Sequence, residues 1–304
     1  MNQPLVTVNI LSFNRKDDLR ITLQKVFEQD YKNIEVIVVD NHSTDGTVEM
    51  VKNDYPAVHV IELTQNIGIA GWNEGFKAAQ GEYVLVLDDD SYPELNSIHS
   101  AVMSIQSKED VGIVAFNIIN GISNLSETEG HYFKEKNLTF IGCGALLKKS
   151  VFDKVGRFNS DLFVYVHERE YCVRMIDQGF HILYDSNAIV IHKYSIKNRN
   201  IPIKSRFSSR QQYYDIRNNL YILYKYFPLY IFFDRMIRIV VSKLIFGVLH
   251  GLFWTTLKGF ISFIILAFKT SRTPVGNNTV QLYQNGKYIA GFFSNGKYSL
   301  SLKR

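Results

Sequence analysis

The feature that most constrains this chain is an alternation in its first 120 residues, where short β-branched runs are separated by amphipathic stretches of about ten residues. Val6–Leu11 is an apolar run, followed by helical spacing over Asp18–Phe27. Val36–Val39 is a second run ending in Asp40, after which Thr44-Asp45-Gly46-Thr47 opens a short helix. Val58–Leu63, Gly71–Ala79 and Tyr83–Leu87 continue as strand, helix and strand, the last running into Asp88-Asp89-Asp90. A helix after Pro93 and a strand over Val111–Phe116 complete the series. Such a series specifies an α/β fold with a doubly wound, Rossmann-like, mostly parallel sheet. Ligands of these sheets bind beyond the carboxyl ends of the strands. Chemistry is therefore expected at Ser12-Phe13-Asn14, Asp40-Asn41 and Asp88-Asp89-Asp90.

The rest of the chain is organised differently. Residues 120–145 are polar and irregular, a loop or hairpin region. Glu168–Asp177 has helical spacing and stops at Gly179, a favoured residue just past a helix end. Phe180–Tyr184 and Ala188–Ile191 return to strand character and end in His192. From Arg206 to Phe268 the pattern is helical and strongly apolar. Two Asn-Gly-Lys-Tyr segments, at 285–288 and 295–298, predict a small three-stranded meander, because Asn-Gly is a strong hairpin turn. The expected organisation is a catalytic α/β domain over 1–205, a basic, apolar helical region over 206–273 and a β-hairpin-like tail over 274–304.

Composition excludes several classes. With 304 residues, 46% of them hydrophobic, the chain can bury a real core, which rules out disorder and a disulfide-stapled miniprotein. Cys143 and Cys172 are too few for a disulfide framework and suit a reducing, cytoplasmic setting. The start, MNQPLVTVNILSFNR, lacks a basic-then-apolar signal pattern, so the sequons at Asn41, Asn124, Asn137 and Asn277 are expected to be without meaning. Charge is strongly split. Residues 1–192 hold 16 Lys and Arg against 27 Asp and Glu, and residues 193–304 hold 18 against 2. An acidic front and a basic back suggest two jobs.

Asp88-Asp89-Asp90 is the sharpest local feature. Adjacent carboxylates repel unless a cation sits among them, and all-oxygen sites favour Mg²⁺ or Mn²⁺ that keep positions open for phosphates. The bland alternative is a solvated acidic turn before the next helix. Asp40 is placed to accept hydrogen bonds from a base or ribose, while Ser43, Thr44 and Asp45 serve the turn. Asn66-Ile67-Gly68-Ile69-Ala70-Gly71-Trp72-Asn73 is a glycine-bearing helix entry that suits an anion, without the GxGxxG spacing of a nicotinamide site.

Together these motifs resemble the inverting glycosyltransferases of family 2, which have the GT-A fold. The resemblance spans roughly residues 4–195. It rests on Ser12-Phe13-Asn14-Arg15, Val38-Val39-Asp40-Asn41, Asn66 to Gly75, Leu87-Asp88-Asp89-Asp90, Gly144-Ala145-Leu146-Leu147, Val155-Gly156-Arg157-Phe158, His167-Glu168-Arg169-Glu170 with Arg174, and His192. It implies a nucleotide-diphosphate sugar donor, a UDP- or dTDP-sugar, with Asp40 at the pyrimidine. Ser12, Asn14, Asn66, Gly71, Asn73 and Asp89 would be further donor contacts. Asp88 and Asp90 would form a DXD pair holding Mg²⁺ or Mn²⁺, and His192 is either a third ligand or a structural residue.

Inversion needs one carboxylate beside the acceptor hydroxyl. Relatives usually place Glu-Asp seven and six residues before an Arg, and counting back from Arg174 finds His167 and Glu168. Glu168 is the favoured base, at the head of its helix, with Glu170 as the rival.

The basic third resembles, at Tyr213-Tyr214-Asp215-Ile216-Arg217-Asn218, a segment of family members that build bacterial polysaccharides. Its Lys and Arg either neutralise a diphosphate or form a solvated face. Residues 220–272 set basic residues among Leu, Ile, Phe and Tyr, which fits interfacial attachment to an anionic membrane surface. A homo-oligomer surface and a single span are the alternatives. Nucleic acid is not expected, because no polar basic stripe with stacking aromatics is present. The expected enzyme is thus a metal-dependent inverting glycosyltransferase, peripheral on the inner face of the cell membrane, acting on a glycan or polyprenyl-linked acceptor in cell-surface polysaccharide synthesis. Weak likeness to rhamnosyltransferases leaves the sugar open. Competing readings are a sugar nucleotidyltransferase, which normally has an early Gly-rich loop that Ser12–Lys16 lacks, and a non-catalytic membrane scaffold, which the intact acidic cluster and Glu168 disfavour.

Overall fold

The computed structural model describes residues 3–128, 137–193 and 209–285. The chain divides into two compact units, residues 1–163 with 167–200 and residues 164–166 with 201–304.

The first unit is built on one eight-stranded sheet. Its strands are β1 (Val6–Ser12), β2 (Ile34–Asp40), β3 (His59–Glu62), β4 (Tyr83–Asp88), β5 (Ser91–Pro93), β6 (Val111–Asn120), β7 (Ala145–Lys148) and β8 (His181–His192), in the order β3-β2-β1-β4-β7-β6-β8-β5. Six helices accompany them: α1 (Lys16–Phe27), α2 (Thr47–Asp54), α3 (Trp72–Ala78), α4 (Ser97–Gln106), α5 (Lys149–Val155) and α6 (His167–Asp177). β1 and β4 are buried almost without interruption, as strands covered on both faces must be, which is why they read as apolar runs rather than alternations. Val8, Ile10, Leu85 and Leu87 are fully enclosed, so truncating any one to Ala would cost about 2–5 kcal/mol.

Direction and register position the site. β1, β2 and β4 are parallel, with Ser12 opposite Asp40 and Leu11 opposite Asp88. β7 runs antiparallel to both β4 and β6, and β6 is parallel to β8. Two reversals restore the original direction, so the ends of β6 and β8, Asn120 and His192, lie on the edge that carries Ser12, Asp40 and Asp88. β5 adds Ser91 beside His192.

The doubly wound expectation holds for β1 to β4, and the second half departs from it. Two short strands, β5 and β7, were not anticipated. The runs at 180–184 and 188–191 are one strand, because a bulge lets the partner jump from Asp185 to Ile189 without ending the ladder. In the irregular stretch, Ile119 and Ser126 form an antiparallel bridge.

The second unit holds α7 (Ser209–Tyr226), α8 (Leu229–Leu249), α9 (Phe253–Phe268) and α10 (Asn277–Asn285). Its interior contains Ile216, Leu220, Leu223, Phe232, Ile239 and Phe263, with a buried hydrogen bond from Gln212 Nε2 to Thr256 Oγ1 (2.9 Å). Lys243 pairs with Asp215. Asn218 is fully buried and donates from Nδ2 to the carbonyls of Val164 (2.7 Å) and Tyr165 (3.1 Å). Among the described residues no helix is long and apolar enough to cross a membrane. The first part of the expected β tail is instead helical, because Val280 and Tyr283, three apart, are both buried at helix spacing. The Asn-Gly turns at 285–286 and 295–296 fall at or beyond the last described residue, and the expected boundary at 205 lies outside the described residues.

Candidate active site

The carboxyl ends of β1 and β2 make one polar corner. Asp40 is buried; its Oδ2 accepts from the Ser43 N–H (2.8 Å), while Oδ1 has no partner among the described residues. The neighbouring Ser12 Oγ is likewise buried without one. Two such atoms side by side form an incomplete polar site, because each would cost about 1–3 kcal/mol if never satisfied. Asn14, at φ +54°, knits the corner together: its N–H donates to Ser43 Oγ (2.9 Å) and its Oδ1 accepts from Thr44 N–H (2.7 Å).

The loop entering α3 closes one side. Asn41 accepts from Ile67 N–H and donates to the Gly68 carbonyl (both 2.9 Å), and Asn66 Oδ1 accepts from Gly68 N–H (2.9 Å). Gly68 has φ +65°, and a Cβ there would lie 1.9 Å from the Phe163 carbonyl oxygen, so only glycine fits. Two of the predicted donor contacts also make scaffold contacts. Gly71 lets the helix approach the sheet, since a Cβ would sit 2.4 Å from Leu11 Cδ1. Asn73 uses both ends of its amide on the backbone of Phe158, at 2.9 and 3.0 Å.

The acidic cluster is divided by Arg15, which sequence reasoning placed in a motif without a role. Its Nη1 meets Asp89 Oδ1 (3.0 Å) and Asp90 Oδ2 (2.7 Å), and Asp89 Oδ2 also accepts from Phe13 N–H (3.2 Å). Burial, partly offset by Arg15, pushes the Asp89 carboxyl up to about 7. Asp88, the member not bonded to Arg15, is pushed up to about 6 by burial and then by the charge of Asp90. His192 faces Asp90 Oδ1 through Nε2 (3.4 Å) and Glu127 through Nδ1 (4.0 Å). Burial pulls its pKa down, but Asp90, Cys143 and Glu127 around the ring outweigh that and hold the imidazole well above its usual range. One donor atom each from Asp88, Cys143 and His192 lies within 4.8 Å of the others, a set able to hold a divalent cation. The DXD expectation is thereby modified: Asp88 and His192 converge, whereas Asp90 is shared between Arg15 and His192. Cys143 carried no sequence signal for this position, because the reversal at β7 is what delivers it.

α6 brings the candidate base. Glu168 is part-exposed, its Oε1 accepts from Gly142 N–H (3.2 Å), and its charge is close enough to raise the pKa of Asp88. Glu170 is fully buried and gripped by Arg174, Oε1 accepting from Nε (3.0 Å) and Oε2 from Nη2 (2.8 Å); Arg174 also reaches the carbonyls of Val155 and Arg157. A carboxylate so bound is a strut, so the geometry favours Glu168 over its rival. His167, at the position where relatives usually carry Glu, is buried beside Trp72 and Phe158, and burial lowers its pKa. The turn before α6 is unusual: Val166, a β-branched residue, has φ +57°.

The chain is similar to known glycosyltransferases. WfaP of Escherichia coli, named as a UDP-Glc:alpha-D-GlcNAc-diphosphoundecaprenol beta-1,3-glucosyltransferase, is 28% identical over 188 residues, covering 56% of this chain and 68% of that protein. TuaG of Bacillus subtilis, whose name places it in teichuronic acid biosynthesis, is 37% identical over 92 residues, 29% of this chain and only 36% of that protein. The mannosyltransferase PcManGT of Pyrobaculum calidifontis, solved with GDP-Man and Mn²⁺, shares the fold at TM-score 0.58 and 19% identity, over 94% of this chain and 80% of that one. The model of glycosyl transferase family 2 matches residues 7–158, which contain Ser12, Asp40, the acidic cluster and Cys143. With half its length matched and the GT-A sheet in place, the chain belongs to glycosyl transferase family 2.

Proposed function

We propose that the chain is an inverting transferase that moves a sugar from a nucleoside-diphosphate sugar, UDP- or dTDP-linked, to a hydroxyl of a lipid-linked glycan. One observation carries the reading. A single sheet edge presents the unfilled polar corner of Ser12 and Asp40, the Asp88–His192 cluster and, from α6, the part-exposed Glu168. Asp40 and Ser12 hold the pyrimidine nucleoside, and the glycine-bearing loop over 66–71 lies beside it. Asp88 and His192 would hold a divalent cation, which when bound supplies positive charge against the diphosphate. Glu168 accepts the acceptor hydroxyl's proton as that oxygen bonds to the anomeric carbon. The bond from that carbon to the diphosphate oxygen breaks, so its electron pair leaves on the nucleoside diphosphate. Attack opposite the leaving group inverts the centre. Arg15 keeps Asp89 and Asp90 in place beside this chemistry.

The lipid-linked acceptor draws support from the name of WfaP and from the second unit. On α8 the exposed residues Tyr230, Phe233, Ile237, Val241, Ile245 and Val248 recur every three or four positions, forming one apolar stripe about 30 Å long. Trp254, Ile261, Ile265 and Phe268 are likewise exposed on α9, with the exposed Lys258 between the first two. Exposed apolar faces of this extent mark interaction sites. Lying on an anionic leaflet would bury them and place the enzyme on the inner face of the membrane. Lys243 takes no part in that contact, since it is paired with Asp215.

Titration of the protein with UDP and with dTDP in the presence of Mn²⁺ tests the donor site. Binding is expected in the wild type and should weaken about 10- to 100-fold in Asp40→Asn, the worth of a hydrogen bond to a charged group. Equal affinity in the two proteins would place the nucleoside elsewhere.

A further inference from the structure

The geometry points to Cys143 as a ligand of the divalent cation, which makes the site an Asp/Cys/His set selective for Mn²⁺, Co²⁺ or Zn²⁺ over Mg²⁺. The inference rests on the reading that a cation binds at Asp88 and His192. Three elements converge there: Asp88 ends β4, His192 ends β8, and Cys143 sits in the turn that leads into β7, with one ligand atom from each within 4.8 Å of the others.

The position of the sulfur is held from both sides. Gly144 N–H donates to the Ile141 carbonyl (3.2 Å), closing a tight turn around Cys143. Gly144 is pressed against β6 and β8, where a Cβ would lie 2.7 Å from Ile118 Cδ1 and 3.0 Å from Val190 Cγ2. Gly142 is tied on the other side to Glu168. Cys143 is 2% exposed yet faces a carboxylate and an imidazole, whereas a cysteine that merely fills a core faces apolar groups. Outside the three ligands, Glu127 lies 4.0 Å from His192 Nδ1 and accepts from Asn120 Nδ2 (2.9 Å).

Donor chemistry sets the preference. Carboxylate oxygens alone suit hard cations such as Mg²⁺, and adding a thiolate and an imidazole shifts affinity towards softer ions. The thiol proton and the ring proton that His192 carries leave to solvent as the cation binds. The turn over 142–143 thereby joins two functions, its sulfur on the cation and its preceding N–H on the base.

The test uses Co²⁺ with the full chain and no donor. Wild type and Cys172→Ser should both show the near-ultraviolet sulfur-to-cobalt charge-transfer band, and Cys143→Ser should lack it. Only two cysteines exist, so the pair of variants assigns the sulfur without ambiguity. Calorimetric titration should show the preference for Mn²⁺ over Mg²⁺ reduced at least about 10-fold in Cys143→Ser, as large an effect as losing an outer partner of a metal ligand. If Cys143→Ser fails to fold, the band in the wild type and in Cys172→Ser decides alone. Co²⁺ binding without a sulfur band, or with one that survives in Cys143→Ser, overturns the inference while leaving the cation site standing. Absence of any cation binding to the wild type overturns the metal reading itself, and this inference with it.

Discussion

Glu168→Gln is the substitution in which catalysis and structure separate most cleanly. Glutamine keeps the length of the side chain, and its carbonyl oxygen can still accept from Gly142 N–H, the 3.2 Å bond that Glu168 makes. What it cannot do is take a proton. A positioned base contributes about 10²–10⁴-fold to rate, so kcat should fall by that factor, equivalent to roughly 3–5 kcal/mol of barrier. Donor affinity should hold, because removing a negative charge beside Asp88 relieves the repulsion that raises its pKa. Glu170→Gln should behave in the opposite way. It dismantles a buried pair whose loss costs about 3–5 kcal/mol, at the low end because Arg174 keeps the carbonyls of Val155 and Arg157. For the first unit, of about 200 residues, that is a fall in Tm of about 6–12 °C. Steady-state kinetics with thermal unfolding of both variants gives the comparison. A Glu168→Gln enzyme with wild-type kcat, or a Glu170→Gln enzyme of normal Tm and no turnover, would refute the assignment.

Two further outcomes are expected. Replacing Ile237, Val241 and Ile245 together with Ser should release the protein from anionic vesicles in a flotation assay, since each buried aliphatic side chain is worth about 1.5–3 kcal/mol; all three are exposed, so the fold should survive, and undiminished flotation would remove that face from the contact. Metal-free protein should lose stability as pH rises from about 4 to 7. Asp88 and Asp89 hold protons in the folded state, up to about 6 and about 7, that the unfolded chain has already released, and His192, also raised, extends the decline above its unfolded value. His167, lowered by burial, opposes this below its unfolded value of 6.5. Denaturant midpoints that rise across this window in EDTA would contradict those shifts.

The parallel half of the fold was legible in the sequence because its strands are buried on both faces and announce themselves as uninterrupted apolar runs. Their ends were legible for the same reason, since a carboxylate directly after such a run, as at Asp40 and Asp88, has one place to go. Counting back from Arg174 picked Glu168, which the structure places part-exposed on α6 with its charge close enough to act on Asp88. β7 was invisible: four residues after a polar stretch form a strand only because β4 and β6 are there to pair with it, and Cys143 went unnoticed with it. β5 hides a proline at a sheet edge. Asn73 and Gly71 lay in the right motif, but their contacts, with Phe158 and Leu11, join positions far apart in the chain. The pairing of Lys243 with Asp215 is equally long-range.

The most direct measurement of the central claim is release of nucleoside diphosphate from a panel of UDP-, dTDP- and GDP-sugars by the wild type, by wild type in EDTA and by Asp88→Ala, each with Mn²⁺ otherwise present. Turnover of one or more pyrimidine-linked sugars by the wild type, lost in EDTA and in Asp88→Ala, is the expected result. Release that is indifferent to both EDTA and the loss of Asp88, or confined to GDP-sugars, would contradict it.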